Sequence, residues 1–509
     1  MQLPLLERAA PHDGLFCLTP LGRSNAAPSQ LETPRIPSRL PGPGEQFRFH
    51  FDMARCIGCH CCEVACNEQN GNPATVRWRR VGEIEGGSYP FTQRFYLSMG
   101  CNHCLQPSCL EGCPVEAYTK DGLTGIVQHN PDVCIGCQYC TWNCPYGVPQ
   151  YNPERGVVGK CDLCYHRLLD GREPACVAAC PQGAIRVEII NIEEWKRTFH
   201  QSANGPGLPP AETTISTTRI SVPPAAVTEL KRAGYDRVRP EHPHWPLVFM
   251  LVLTQLSVGA LAALWIGQLA DAVSGLSLQL AAALAFMIAN LALAGALLHL
   301  GRPVYAWRAL KMWRRSWLSR EVLLFSLFAG AASLYAAALW IHLPAAPLLG
   351  ALTATLGAAG LIASACIYLV PARPAWNSGY TVADYLLTAA FLGPLLAGAL
   401  THCFPLLCAA MAAAGLQLLN QVSRFLWLAR SDEFELHASA RLLSHDLERL
   451  FIARLLLLVL GGLVLPLTGH LWLSIIVALG GELLSRYLFF VAVVPKNIAA
   501  TFFAAQEAA

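Results

Sequence analysis

The chain has 509 residues, of which 53% are hydrophobic and 14% charged, and its formal net charge is +3. This length allows two or more domains. The net charge says little about partners, but the sequence has no basic stripe of the kind that binds nucleic acid, so nucleic acid is not an expected partner. The chain is also unlike the small secreted domains that depend on disulfides, so its 21 cysteines need another explanation.

Residues 1–45 are predicted to form an extended, proline-rich arm, with Pro20, Pro28 and Pro34 among its prolines. The first 50 residues contain no apolar run of signal-peptide length and no twin arginine in a leader position. We therefore expect the domain that follows to stay in the cytoplasm, where it is made. The alternative is that the folded domain is exported together with a partner that carries the signal.

Sixteen cysteines fall into four groups of four, each of which begins C-x2-C and ends C-x3-C. The groups are Cys56, Cys59, Cys62 and Cys66; Cys101, Cys104, Cys109 and Cys113; Cys134, Cys137, Cys140 and Cys144; and Cys161, Cys164, Cys176 and Cys180. Such spacing is typical of iron–sulfur ligands, because three thiolates from one loop can take three corners of a cubane. Zinc also binds paired C-x2-C motifs, but it requires neither a third nearby cysteine nor the Cys-Pro that ends three of these groups.

Residues 46–199 are predicted to form a double ferredoxin-like α+β domain around these cysteines. A strand at 47–52 should enter the first group, and a strand at 185–189 should leave the fourth. This arrangement places groups one and four in one half of the domain and groups two and three in the other.

The fourth cysteine of each group is predicted to ligate a cluster of the neighbouring group, as in two-cluster ferredoxins. Cys66 should therefore complete the set of group four, and Cys180 that of group one. Cys113 and Cys144 should likewise exchange between groups two and three. Cys61 does not fit the ligand spacing and is predicted to be a packed thiol.

A linker at 200–245 is predicted to lead into an all-α membrane anchor at 246–495, which ends in a cytoplasmic tail at 496–509. Eight apolar segments of the anchor are long enough to cross a bilayer. They lie near 246–269, 277–300, 321–341, 348–370, 382–400, 405–428, 451–468 and 472–494.

Loop charges alternate along the anchor. Basic residues such as Arg302, Arg373 and Arg430 fall in every second loop, and the other loops carry no Lys or Arg. The loops without Lys or Arg lie around 271–276, 342–347, 401–404 and 469–471. By the positive-inside rule, the iron–sulfur domain, the basic loops and both termini are predicted to face the cytoplasm.

A cluster domain joined to eight spans needs an electron carrier that is soluble in the bilayer. Haem would require axial histidines on facing helices. Because His342, His402 and His470 all fall at the ends of spans, no haem is expected.

A quinone site is predicted between spans two and three, where His299, Arg302 and Glu321 lie at the cytoplasmic end. Quinone chemistry moves two protons with two electrons and so needs a titratable group beside the headgroup. The alternatives are that Glu321 only favours a helix N-terminus and that His299 is an interfacial helix end.

Other charged residues in the spans are interpreted as structural. Glu482 and Arg486 lie one helical turn apart and are predicted to neutralise each other. Asp384, near the start of span five, is predicted to be a helix-start residue. Since the spans hold few carboxylates, proton pumping is not favoured.

The four cysteine groups resemble the iron–sulfur subunit of the dimethyl sulfoxide reductase family. The stretch HLGRPVYAWRALKMWRRSWLSRE, between spans two and three, resembles the eight-helix anchor of that family. The two subunits look fused here from about residue 45 onward. The resemblance implies four [4Fe-4S] clusters, a separate catalytic chain that carries molybdopterin, and electron transfer between that chain and membrane quinone. It also implies that His299 and Glu321 bind quinol.

Two activities fit this resemblance. A cytoplasmic cluster domain is similar to membrane-bound sulfite dehydrogenases, which pass electrons to quinone, and an S- or N-oxide reductase would pass them the other way. The alternative class is an iron–sulfur module of another respiratory complex that is quinone-linked, could translocate ions and has no molybdenum partner. More intramembrane carboxylates would favour that alternative.

Overall fold

A computed structural model describes residues 34–223, 230–232 and 238–496. Most of the predicted arm, Cys17 and nearly all of the predicted tail lie outside these residues. The described residues form a ferredoxin-like α+β domain followed by a helical membrane domain, so the predicted fold class is confirmed.

The strands of the described residues form four small sheets in the cluster domain. They are β1 (Glu45–Asp52), β2 (Arg80–Gly86), β3 (Gln93–Met99), β4 (Tyr118–Lys120), β5 (Val127–His129), β6 (Gln150–Asn152), β7 (Val157–Gly159), β8 (Ile185–Asn191), β9 (Arg219–Ser221) and β10 (Lys231–Arg232). One sheet has the order β8-β1-β9 and another β10-β2-β3, while β4-β5 and β6-β7 are two-stranded.

The pairing of β1 with β8 closes the first half of the cluster domain. The two strands are antiparallel, with Phe49 opposite Val187. Alternation along β1 points Phe47, Phe49 and Phe51 into the core, where each is almost fully buried. The strand that leads into cysteine group one thus lies beside the strand that leaves group four, as predicted.

Six short helices of the cluster domain lie among the cysteine loops and after β8. They are α1 (Cys61–Asn70), α2 (Ser108–Gly112), α3 (Tyr139–Asn143), α4 (Tyr165–Leu169), α5 (Ala175–Ala178) and α6 (Ile192–Thr198). Most of these helices are a single turn long because the chain must turn sharply at each cysteine group.

Part of the predicted linker is built into the cluster domain. Strand β9 pairs in parallel with β1, and the hydroxyls of Thr217 and Thr218 donate hydrogen bonds to Asn102. The Trp195 indole donates to the Ser216 carbonyl at 2.9 Å. The threonines that make this stretch look like a flexible linker are therefore buried residues whose hydroxyls form hydrogen bonds with the cluster domain.

Eight helices are long and apolar enough to cross a membrane, as predicted, and a shorter helix, α13, lies between two of them. They are α7 (Trp245–Leu269), α8 (Gly275–Leu297), α9 (Trp317–Trp340), α10 (Ala346–Ile367), α11 (Gly379–Thr401), α12 (Phe404–Ala429), α14 (Glu448–Leu467) and α15 (Leu471–Val491), with α13 at Phe434–Ser444. Helices α7 and α11 cross at Gly259 and Gly393, where a Cβ on either residue would meet the backbone of the other helix.

Two buried ion pairs join the membrane helices. Glu482 pairs with Arg454 of α14 at 2.9 Å, and Arg486 pairs with Asp384 of α11 at 3.0 Å. The predicted pair of Glu482 with Arg486 is therefore wrong, because each side chain reaches a neighbouring helix. The interpretation of Asp384 as a helix-start residue is also wrong, since it is the sixth residue of α11 and is buried.

Candidate functional site

The sixteen cysteines come together in four sets of four. We name each set after the group that supplies three of its members. Set one is Cys56, Cys59, Cys62 and Cys180; set two is Cys101, Cys104, Cys109 and Cys144; set three is Cys134, Cys137, Cys140 and Cys113; set four is Cys161, Cys164, Cys176 and Cys66. Every set takes its fourth cysteine from another group, which is the exchange that the spacing predicts.

Backbone N–H groups point at the first sulfur of each group. In every group the residue two positions after the first cysteine has a positive φ, and its N–H lies against that cysteine's sulfur. These residues are Gly58, His103, Gly136 and Leu163. Such donors stabilise a thiolate rather than a thiol, so the loops are built for sulfur that carries negative charge.

Arg79 is a buried cation that faces sulfur. Its side chain is 2% exposed, and thiolates of sets one and four, at Cys176 and Cys62 among others, would hold the pKa of Arg79 above its ordinary value against the effect of burial. The guanidinium Nη1 donates to Ser98 at 3.2 Å, whereas Nε and Nη2 have no hydrogen-bond partner among the described residues. A buried guanidinium is stable only beside negative charge, and thiolate-bound iron–sulfur clusters would supply it.

Lys160 occupies the corresponding place between sets two and four. It is 3% exposed and donates to the carbonyls of Val127 and Cys161. Burial by itself would lower the pKa of Lys160, but thiolate sulfurs at Cys101, Cys109 and Cys161 raise it above its ordinary value. Both buried cations therefore fit cysteine sets that carry anionic clusters.

Two cysteine contacts differ from what the sequence suggests. The Thr214 hydroxyl donates to the sulfur of Cys104 at 3.1 Å, although Thr214 falls in the predicted linker and has no motif around it. Cys61 is exposed, and its thiol reaches the carbonyl of Cys59. The prediction that Cys61 is a packed thiol is wrong, because helix α1 buries Cys62 and leaves the preceding residue outside.

A cavity of about 250 Å³ lies where the cluster domain meets the membrane domain. Its wall is mostly apolar, and it includes Cys137 of set three together with His299 and Glu321. The structure thus places two of the three predicted quinone-site residues in one cavity with a cysteine of set three. The cavity reaches the outer surface of the helices near Leu297 and Ser326, both of which are exposed.

The imidazole of His299 is held against the third cysteine loop. Its Nε2 lies 3.3 Å from the carbonyl oxygen of Cys137, and since a carbonyl only accepts, Nε2 carries the proton. Burial lowers the pKa of His299 to about 4, so the ring is neutral at pH 7. Nδ1 is then a hydrogen-bond acceptor available to a hydroxyl in the cavity.

Glu321 is the carboxyl of the cavity. It lies in the second turn of α9, is 4% exposed, and has the Ser364 hydroxyl of α10 beside it. No ion pair to Glu321 is found among the described residues. An unpaired carboxyl at the edge of an apolar cavity is suited to exchange a proton with a ligand.

Arg302 does not line this cavity, in contrast to the prediction. Its guanidinium donates to the Pro131 carbonyl at 3.0 Å, and its backbone N–H donates to the Ile135 carbonyl at 3.1 Å. Arg308, farther along the same basic loop, donates to the Asp132 carbonyl at 3.0 Å. The side chains of this loop therefore dock the cluster domain onto the membrane domain.

Aromatic residues that no sequence motif marks pack against His299. Trp142, between two cysteines of group three, stacks on His299 with ring centroids 6.3 Å apart. His244, just before α7, packs edge-on against both rings at 5.3 and 5.4 Å. The pair of histidines in EHPHWP, just ahead of the first span, is the one sequence signal that could have pointed to His244.

Family profiles match both halves of the chain. A profile described as "4Fe-4S dicluster domain" matches residues 92–189. A second profile, described as "DMSO reductase anchor subunit", matches residues 240–491.

Curated relatives match the cluster domain. The chain is 38% identical over 179 residues to an anaerobic dimethyl sulfoxide reductase chain of Haemophilus influenzae, a match that covers 33% of this chain and 86% of the relative. It is 39% identical over 177 residues to the chain of the same name from Escherichia coli K12, with coverage of 33% and 85%. It is also 35% identical over 160 residues to a sulfite dehydrogenase subunit of Allochromatium vinosum, with coverage of 27% and 67%.

Replacing Lys160 with Met should lower the midpoint potentials of the clusters bound by sets two and four. The Lys160 cation stabilises the reduced cluster, which carries more negative charge, and the variant loses that stabilisation. We expect a shift on the order of 100 mV, the size of a unit-charge Coulomb interaction across several ångströms at an effective dielectric of about 20. Redox titration followed by electron paramagnetic resonance measures it in isolated membranes. Lys160→Arg, and Lys196→Met on the exposed side of α6, should leave the potentials near those of the wild type. Unchanged potentials in Lys160→Met protein with full iron content would contradict this role.

Proposed function

We propose that this chain, which is a member of the family of iron–sulfur subunits of dimethyl sulfoxide reductases, links a molybdopterin catalytic subunit to membrane quinone. The chain fuses that iron–sulfur subunit to an anchor of the same family and is a membrane electron-transfer subunit of an oxidoreductase complex. One observation carries the proposal of a quinone site in this chain: Cys137 of set three shares a cavity with His299 and Glu321.

We place four [4Fe-4S] clusters in the four cysteine sets, in the order one, four, two, three. Arg79 faces thiols of sets one and four, and Lys160 faces thiols of sets four and two, so those sets are neighbours. Set three adjoins the cavity through Cys137. When bound, the clusters supply one-electron steps between two-electron reactions at either end.

The catalytic subunit is proposed to dock near set one. Cys59 of this set is exposed, whereas most of the other cysteines are buried or half-buried. A cluster at an exposed cysteine is the one that a partner can approach most closely.

The quinone headgroup is proposed to lie between His299 and Glu321. Nδ1 of His299 accepts a hydrogen bond from one quinol hydroxyl, and the Glu321 carboxyl exchanges a proton with the other oxygen. The apolar wall suits the ring and tail of a quinone, and the opening near Leu297 and Ser326 faces the region that lipid would occupy.

The substrate is proposed to bind to the catalytic subunit. One relative is named as a dimethyl sulfoxide reductase chain and another as a sulfite dehydrogenase subunit. We propose that the complex either oxidises sulfite to sulfate and reduces quinone, or oxidises quinol and reduces an S- or N-oxide. Both reactions move two electrons and two protons through the same cavity.

The cluster domain is proposed to face the cytoplasm. It packs against the basic loop between α8 and α9 through Arg302, Arg308 and Arg315. The loops at the opposite ends of the helices lack Lys and Arg. The positive-inside rule places the basic side in the cytoplasm.

Replacing Glu321 with Gln should slow quinone reduction or quinol oxidation about 100-fold or more, the usual contribution of a positioned acid or base. Reduction of the clusters through the catalytic subunit should not change, because Glu321 lies beyond set three. Stopped-flow absorbance with a soluble quinol analogue measures the first step, and Glu448→Gln, exposed at the start of α14, is the matched control. Undiminished quinone exchange in Glu321→Gln protein would remove Glu321 from the site.

The complex purified from native membranes should contain molybdenum together with this chain. Sulfite should reduce its clusters, or an S-oxide should reoxidise clusters that have been reduced chemically. Elemental analysis and cluster absorbance measure both results. A purified complex without molybdenum, whose clusters respond to neither substrate, would favour the alternative of an iron–sulfur module from another respiratory complex.

Single cysteines at the two ends of the helices should report opposite sides of the membrane. Arg430→Cys should react with an impermeant maleimide only after spheroplasts are permeabilised, because it lies on the side of the cluster domain. Ser274→Cys, exposed between α7 and α8, should react in intact spheroplasts. Peptide mapping by mass spectrometry locates the label, and the reverse pattern would overturn the cytoplasmic placement.

A further inference from the structure

The membrane domain holds another cavity, which is polar and shares no lining residue with the quinone cavity. The two cavities adjoin through Phe489 and Tyr368, whose ring centroids are 5.2 Å apart. This cavity has a volume of about 40 Å³ and lies among α12, α13, α14, α15 and the loop before α11, at the end of the bundle that faces the cluster domain. Arg424 and Arg454 are its charged lining residues, and Gln421, Ser439 and Ser485 are polar lining residues. Within the described part of the chain, no carboxylate lines it.

Two buried carboxylates, Asp384 and Glu482, lie near these arginines, and both already have hydrogen-bond and ion-pair partners. Asp384 accepts from the amides of Gln417 and Gln421 at 2.7 and 2.6 Å and pairs with Arg486 at 3.0 Å. Its oxygens therefore serve one cation and two neutral donors.

Glu482 is engaged in the same way. One oxygen pairs with Arg454 at 2.9 Å, and the other accepts from the Thr388 hydroxyl at 2.9 Å. Among the residues that the structure describes, two carboxylates thus face three guanidinium groups, those of Arg424, Arg454 and Arg486, which leaves one positive charge in excess.

The excess charge falls at the cavity. Arg424 donates to the Ala375 carbonyl at 3.0 Å, but its Nε has no partner among the described residues. Arg454 is 1% exposed, and in the same described region its Nε and Nη1 also lack hydrogen-bond partners, although Nη2 is bound to Glu482. Buried N–H donors with net positive charge are costly unless an anion accepts from them.

We infer that this cavity binds a phosphate group. Guanidinium groups match the tetrahedral oxygens of phosphate with paired N–H donors, and a cavity of about 40 Å³ has room for an anion that displaces about three waters. The hydroxyl of Ser485 and the amide of Gln421 add neutral donors. The phosphate is carried by an anionic phospholipid or is free in solution, and the chemistry of the site is the same for both.

The test uses the full chain with its clusters, purified in a maltoside detergent and in buffer free of phosphate and sulfate. Native mass spectrometry first measures phospholipid that stays bound. Inorganic phosphate and short-chain phosphatidylglycerol are then titrated separately by calorimetry after delipidation. Tighter binding of phosphatidylglycerol identifies a lipid source, and tighter binding of inorganic phosphate identifies a free one; either result supports the site.

Arg424→Gln should weaken binding of whichever ligand the wild type binds more tightly by at least about 30-fold, as expected for the loss of a buried charge partner. Arg430→Gln makes the same change at an exposed position just beyond the cavity and should bind like the wild type. If Arg424→Gln fails to fold, Ser485→Ala should still weaken binding about tenfold. Binding of neither ligand to the wild type, or equal binding to wild type, Arg424→Gln and Ser485→Ala, would overturn the inference.

Discussion

The joint between the two halves of the chain depends on a close approach of backbone to backbone at Gly301. Its N–H points at the Gly136 carbonyl, 3.4 Å away, and a Cβ on Gly136 or Gly301 would meet the backbone of Gly156. Gly136 is also the residue whose N–H serves the first sulfur of set three. One glycine thus shapes a cluster loop and allows the membrane domain to rest on it, which brings Cys137 to the wall of the proposed quinone cavity.

Electrostatics sets a second requirement, since both halves bury cations. In the cluster domain, Arg79 and Lys160 face thiols, so the domain reaches charge balance only when the cysteine sets hold anionic clusters. In the membrane domain, Asp384 pairs with Arg486 and Glu482 with Arg454, which leaves the charge of Arg424 beside them without a carboxylate of its own among the described residues. The cluster domain is in this sense prepared for its cofactors, and the membrane domain for an anion, before either binds.

The proposed quinone cavity is formed by both halves of the chain together. Cys137 and Trp142 come from the cluster domain, whereas His299 and Glu321 come from the membrane domain. The basic loop that predicts membrane orientation also supplies the docking contacts of Arg302 and Arg308. This double role explains why Arg302 looked like a site residue. It lies next to the site in sequence, but its side chain binds the Pro131 carbonyl of the cluster domain and does not reach the cavity.

The sequence by itself determined the parts that depend on local spacing. The C-x2-C and C-x3-C intervals predicted the cysteine sets, the apolar runs predicted eight spans, and the position of His299 and Glu321 at facing span ends predicted that both lie near one site. Each of these features repeats along the chain or follows from the length of one element, so it can be read without knowing what packs against it.

Only the tertiary structure decided which distant side chains meet. Glu482 pairs with Arg454 rather than with its helical neighbour Arg486, and Thr214 reaches Cys104 across 110 residues of chain. His244, just before α7, packs against His299 of the proposed quinone cavity. No local pattern marks such partners, because a buried charge or hydroxyl is stabilised by whatever group folding brings within hydrogen-bond reach, and that group is set by the packing of whole helices and sheets.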